Sequence, residues 1–151
     1  MGQLRDPFAL LSNNEIEAIK MTQEIIKRMA ENSAKTKTVF LAITTAMITL
    51  VDTEISLRTV FALSVYLILT FALWQTDAQY LRLERLFREH HNAICDGTIT
   101  ALDQWRLNIG KYDAESTYSI MFKNFTMWIY YIGAGTTVIL LIYVIGHLPA
   151  R

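Results

Sequence analysis

A chain of 151 residues that is 52% hydrophobic and 19% charged, with a mean hydropathy of +0.26, is more apolar than a soluble domain of its length. Its 14 basic residues balance 14 acidic ones, and it holds 2 prolines and 6 glycines, which argues against a disordered chain, a collagen-like chain and a strongly basic nucleic-acid binder. The single Cys95 excludes a disulfide framework and a four-thiolate zinc site.

Residues 1–37 are read as a cytoplasmic N-terminal amphipathic helix. From residue 13 onward the segment lacks Gly and Pro, and Asn13 or Asn14 is placed to cap its start. Ile16, Ile19, Gln23, Ile26, Ala30 and Ser33 recur at alternating three- and four-residue spacing, which predicts a heptad-like seam. Acids mixed with bases over the first forty residues do not make a cleavable signal peptide.

Residues 38–76 form the expected transmembrane hairpin, with spans at about 36–51 and 59–76. Neither 38–51 nor 59–76 carries Asp, Glu, Lys or Arg. The second stretch has 18 residues, which at ~1.5 Å of rise per residue nearly matches a ~30 Å hydrocarbon core. The first has only 14, and crosses if Lys35 and Lys37 snorkel and the bilayer thins locally; a re-entrant pair is the alternative. Seven residues separate the two stretches, so they run antiparallel.

Residues 77–123 are read as a cytoplasmic helix and cap. Tyr80, Leu83, Phe87, His90 and Ile94 make an apolar line with no breaker before Gly97. A short helix over 100–109 and a loop after it then form a cap too small for a core of its own. Residues 124–151 supply the third transmembrane helix and an external C-terminus, with Trp128, Tyr130 and Tyr131 where interfacial aromatics belong and no Asp, Glu, Lys or Arg over 124–150. Gly133 and Gly135 are expected to allow close helix approach.

The expected fold is thus an all-α membrane protein of three transmembrane helices, the first two a long antiparallel hairpin extended into the cytoplasm. Six Lys or Arg precede the first span, six lie between the second and third, and only Arg58 and Arg151 fall on the other side. The positive-inside rule then predicts a cytoplasmic N-terminus and a C-terminus on the far, periplasmic side.

Folding the hairpin about residue 55 sets Asp77 level with Ser33. A structural clamp is expected from Arg28, Asn32, Lys35, Asp77 and Glu84, in which Asp77 meets Asn32, Ser33 or Lys35 and Glu84 meets Arg28 or Lys27. Arg82, Arg85 and Arg88 form a candidate docking face for a cytosolic protein or an anionic ligand.

The segments RMAENSAKTK (28–37) and TDAQYLRLERLFR (76–88) resemble a family of small uncharacterised bacterial inner-membrane proteins with the patterns RMAxNS and DAxYLRxERLFR. The chain departs from that pattern at Gln79, where the family has Tyr, and over residues 89–92. Some members lie near anti-phage defence genes, so the resemblance implies a defence setting. More distantly, the membrane setting resembles the small membrane accessory proteins of RNA-targeting CRISPR systems, which assemble into pores.

Arg85 and His90 have an R-x4-H spacing that is similar to the catalytic pair of HEPN ribonucleases, where such residues stabilise phosphate charge and shuttle protons. They are the sole catalytic candidates, beside a plain packing role for His90. His90, His91 and Cys95 offer three metal ligands on one helix without a fourth nearby, so neither a metal nor another cofactor is expected. Three thin spans enclose no cavity, and self-assembly is expected to complete them. The preferred reading is an oligomeric inner-membrane effector or pore-like protein gated by a cytoplasmic signal or partner, in the anti-phage defence setting that the resemblance implies. The alternatives are a membrane-anchored scaffold and a HEPN-like ribonuclease. The expected partners are further copies of the chain and the lipid bilayer.

Overall fold

The computed structural model describes residues 12–50, 57–112 and 116–147, and every regular element among them is helical. Helix α1 spans Asn13–Leu50 and α2 spans Leu57–Cys95. They are followed by α3 (Ala101–Arg106), a 3-10 turn (Ile109–Lys111), α4 (Thr117–Lys123), α5 (Phe125–Met127), a π turn (Trp128–Gly133) and α6 (Ala134–His147). The hairpin turn expected near residue 55 and the end of the chain at 148–151 lie outside the described residues.

Helix α1 begins one residue earlier than the Asn13 or Asn14 cap expected. Ser12 and Glu15 form a capping box: the Ser12 hydroxyl accepts from the Glu15 amide at 3.3 Å, and the Glu15 carboxylate accepts from the Ser12 amide at 2.7 Å. Glu15 stands three residues after Ser12 and reciprocates the bond; Asn14 has the same spacing to Glu17 but already lies inside the helix.

Helix α1 packs along α2, but its seam is rotated from the isoleucine line. Ala18, Thr22, Ser33, Thr36, Phe40, Thr44 and Met47 are buried, with Ile25 and Met29 half-buried among them. These positions fall in three rows with an eleven-residue step: 18, 29, 40; then 22, 33, 44; then 25, 36, 47. An eleven-residue repeat lies closer to the natural helical period than a heptad, so a nearly straight helix keeps one face on its partner. Gln23 and Ala30 are exposed, while Ile16, Ile19 and Ile26 are half-buried beside the seam. Small and hydroxyl side chains occupy the centre because they let backbones approach; the larger isoleucines flank it.

Helix α2 stops at Gly97, whose φ of 66° provides the left-handed turn that a Cβ disfavours. The Thr98 amide reaches back to the Ala93 carbonyl at 3.0 Å to close that end. The cap helix is shorter than the expected 100–109. Thr100 caps α3, and Leu107 in a left-handed conformation (φ 47°) ends it.

Helix α4 was not foreseen, since 117–123 lies where the sequence pattern is weakest. Ser116 caps it by accepting from the Ser119 amide at 3.1 Å, and it buries Ile120 and Met121. The chain then breaks at Asn124, whose side chain starts the terminal helix by accepting from the Thr126 amide at 3.1 Å. The π turn that follows widens one loop of this helix. Beyond it Thr136 Oγ1 donates toward the carbonyls of Ile132 and Gly133, at 2.9 and 2.8 Å, and Thr137 Oγ1 donates to Gly133 at 2.9 Å. The close approach expected at Gly133 and Gly135 is not made within the chain, because a Cβ at either would meet nothing within 4 Å.

The core gathers Phe40 and Met47 of α1, Tyr66 and Ala78 of α2, Ile120 and Met121 of α4, and Met127, Tyr131 and Val138 of the terminal helix. Among the described helices, α2 is long and apolar enough by length and composition to cross a membrane, and only 11% of its apolar window is buried inside the chain. The terminal stretch Phe125–Leu140 is apolar but shorter.

Candidate functional site

Asp77 sits where the apolar half of α2 gives way to its charged half, and it has no exposed surface. A buried carboxylate is tolerated when cations and donors surround it. Lys37 of α1 supplies the cation, with Nζ 2.9 Å from Oδ1 and 2.8 Å from Oδ2. The Ser33 hydroxyl donates to Oδ1 at 2.5 Å and accepts from Lys37 Nζ at 2.7 Å. From the terminal helix, Tyr131 Oη donates to Oδ2 at 3.3 Å. One carboxylate therefore ties three helices together.

Ser33 and Lys37 share a face because they stand four residues apart. Lys35, expected in this place, is exposed: two residues short of Lys37, it points about 200° around the helix from it. Asn32, also expected, uses its backbone carbonyl to accept from Thr36 Oγ1 at 2.9 Å. Ser33 with Asp77 and Thr44 with Tyr66 are both pairs centred on residue 55. Thr44 spends its proton on the Phe40 carbonyl at 2.9 Å, so across the 3.1 Å contact the Tyr66 hydroxyl donates to Thr44.

Aromatic rings pack around this knot. Tyr131 lies 4.7 Å from Phe40 and stacks on Trp74 at 6.2 Å, centroid to centroid. Sequence reasoning assigned Tyr131 to the membrane interface; its burial and its bond to Asp77 place it in the core instead. The π turn is the local feature that carries it, and no residue pattern announces such a turn.

Further along the charged half, Glu84 binds Arg88 within α2 (Oε1 to Nη2 2.6 Å and to Nε 2.9 Å) and is not joined to Lys27 or Arg28. The i,i+4 order Glu then Arg is local and favourable, so it wins over a cross-helix pair between long side chains. Lys27 stands 3.9 Å from Glu31 on its own helix, and Arg28 is exposed. Of the docking arginines, Arg85 and Arg88 are exposed and Arg82 is half-buried. Arg88 and Lys27 line an open groove between α1 and α2 of about 430 Å³, together with Gln23, Ile26, Ala30, His91 and Asn92.

His90 is fully buried beneath the cap. Its Nδ1 lies 3.1 Å from Tyr112 Oη and its Nε2 3.5 Å from the Gln104 carbonyl. Burial pushes the His90 pKa down and the Tyr112 pKa up, so at neutral pH the phenol donates to Nδ1 and the ring proton sits on Nε2. Both ring nitrogens thus face the cap, while Arg85 is exposed one turn earlier on α2. His91 Nε2 lies 3.8 Å from Cys95 Sγ, and no group of three metal-ligating side chains exists among the described residues.

The functional residues that sequence reasoning missed are Lys37, Tyr131 and Tyr112. Lys37 reads in the sequence only as a snorkelling cation, and nothing in the pattern around Tyr112 links it to His90. In comparisons, no protein-family description, curated protein or solved structure matches this chain.

Proposed function

We propose that the chain is an oligomeric inner-membrane effector whose three long helical segments cross the bilayer, N-terminus inside and C-terminus outside. A signal or partner reaching the cytoplasmic helices and cap alters the spans and with them the permeability of the membrane. The observation that carries this reading is the Asp77 knot. It joins α1 and α2 where their charged halves meet their charge-free stretches, and reaches the terminal helix at Tyr131, seven residues into its own charge-free stretch, so a rotation of the charged stalk is passed to the spans. The outward hydroxyls of Thr45, Thr49, Ser64, Thr136 and Thr137 each bond a carbonyl of their own helix. They rest in lipid at little cost, and equally can face an axis shared by several copies. The defence setting implied by the motif resemblance belongs to the same reading.

A membrane-anchored scaffold is the second reading, favoured by the groove that Lys27 and Arg88 border on the cytoplasmic half of the hairpin. Dye release from vesicles separates the two. An effector of this kind releases dye increasingly as more protein is incorporated per vesicle, whereas a scaffold releases none at any ratio.

A further inference from the structure

The elbow that joins the cap to the terminal helix presents an aromatic surface that none of the described residues covers. Helix α4 turns Ile120 and Met121 inward, where they join Ala78 of α2 in the core. Its other side leaves Tyr118 60%, Phe122 57% and, beyond Asn124, Phe125 76% exposed. Trp128, 41% exposed, and Trp74 complete the patch: Trp74 meets Phe122 at 5.8 Å and Trp128 at 6.2 Å, and Phe122 meets Trp128 at 6.4 Å. Trp128 Nε1 donates to the Phe122 carbonyl at 2.8 Å, which fixes the elbow so that these rings are displayed rather than folded away.

We infer that this elbow is an interfacial foot that seats in the cytoplasmic headgroup layer of the bilayer. The inference rests on the membrane-spanning reading proposed above. Three features select lipid as the occupant. Trp74 lies three residues from Asp77, so the patch is level with the boundary between the charged and charge-free halves of α2. The patch is continuous with the exposed apolar surface of α2, where Phe71 is 53% and Ile68 69% exposed. Its residue types are those that favour the interface, where a ring meets acyl chains and a polar edge meets water. A short helix lying across the membrane surface, with its inner face on α2, would set the depth of the bundle and the height of the Asp77 knot.

Depth-dependent quenching on the full chain in phosphatidylcholine and phosphatidylglycerol vesicles tests this. With Cys95→Ser as background, an environment-sensitive fluorophore is attached at Phe125→Cys, Ile68→Cys or Leu102→Cys. The Phe125 site should be quenched several-fold more strongly by a headgroup-level nitroxide lipid than by one with the nitroxide deep in the acyl chain. The Ile68 site should show the reverse, and the Leu102 site, on the cap, should respond to neither. A Phe125 site that behaves like Leu102 overturns the foot while a deeply quenched Ile68 leaves the span standing. Blue-shifted emission at Phe125 without lipid quenching assigns the patch to another protein copy and also overturns it. Loss of deep quenching at Ile68 removes the span itself, and the foot with it.

Discussion

Lys37 and Asp77 meet across the two long helices with Nζ 2.8 Å from Oδ2, on a carboxylate with no exposed surface and a lysine side chain 17% exposed. The pair is not an isolated ion pair: Ser33 and Tyr131 occupy further acceptor sites on the same carboxylate. Such a network costs desolvation when it forms and costs more when half of it is removed, because the remaining charge is then left without a partner. Its importance is therefore as a determinant of register among three helices, more than as a source of net stability.

Lys37→Met should destabilise the protein by about 3 kcal/mol, the scale for stranding one member of a buried pair. Asp77→Leu should cost less, since Lys37 reaches solvent on the side that remains exposed. The double variant should recover much of the Lys37→Met loss, because no stranded carboxylate remains. Thermal unfolding in mild detergent reads all three, and a double variant whose losses simply add would show that the two residues act independently.

How much of this was legible before the fold was known depends on the kind of signal. Asp77 stood out because it is an acid at the edge of a charge-free stretch, and pairing about residue 55 pointed to Ser33. Lys37 and Lys35 look alike in sequence, and only the rotation of α1 decides between them. The isoleucines dominate the hydrophobic pattern and set the expected rotation, while the seam centres on Ala18, Thr22 and Thr36 and keeps only Ser33 of the expected line buried. Tyr131 was hidden for a related reason: an aromatic near the start of an apolar helix reads as interfacial, and the π turn that swings it toward Asp77 leaves no periodic trace.

Acidification should loosen the cap. Burial is the main cause that holds His90 below its ordinary value of 6.5, with Lys111 adding to it and the Gln104 carbonyl and Asp103 opposing. The unfolded chain therefore binds a proton on this ring at a higher pH than the folded chain does. Stability contributed by the neutral ring is complete above a pH of about 6.5 and declines as pH falls from there toward the depressed folded value. Melting temperature measured from pH 7.5 to 5 should fall more steeply for the wild type than for His90→Gln, which cannot titrate. Parallel slopes would mean that the cap does not sense this proton.

Cys95 should be a sluggish nucleophile despite its exposed position. The residue is exposed but its thiol is partly desolvated against the helix; that desolvation, then the neighbouring Asp96 carboxylate, raise its pKa above the ordinary thiol value, so little thiolate is present at neutral pH. Alkylation at pH 7.5 should be slower than for a free cysteine peptide, and Asp96→Asn should speed it by lowering the thiol pKa. Alkylation as fast as the peptide's would show that His91, 3.8 Å away, activates the sulfur.

The membrane topology is the prediction on which the largest part of the functional proposal stands. Twelve of the fourteen Lys and Arg residues lie before the first charge-free stretch or between the second and third, and Arg58 and Arg151 lie beyond them. With each positive charge resisting translocation, that asymmetry should hold the N-terminus and the cap in the cytoplasm and send the end of the terminal helix across. A cytoplasm-active reporter inserted at Gly110 should therefore work, and a periplasm-active one fused after Arg151 should work as well. Gly110 suits the insertion because it is exposed on the turn between the cap helix and α4. If both positions report the same side, the terminal helix does not cross, and the Tyr131 bond to Asp77 then links the hairpin to a surface helix instead of to a third span.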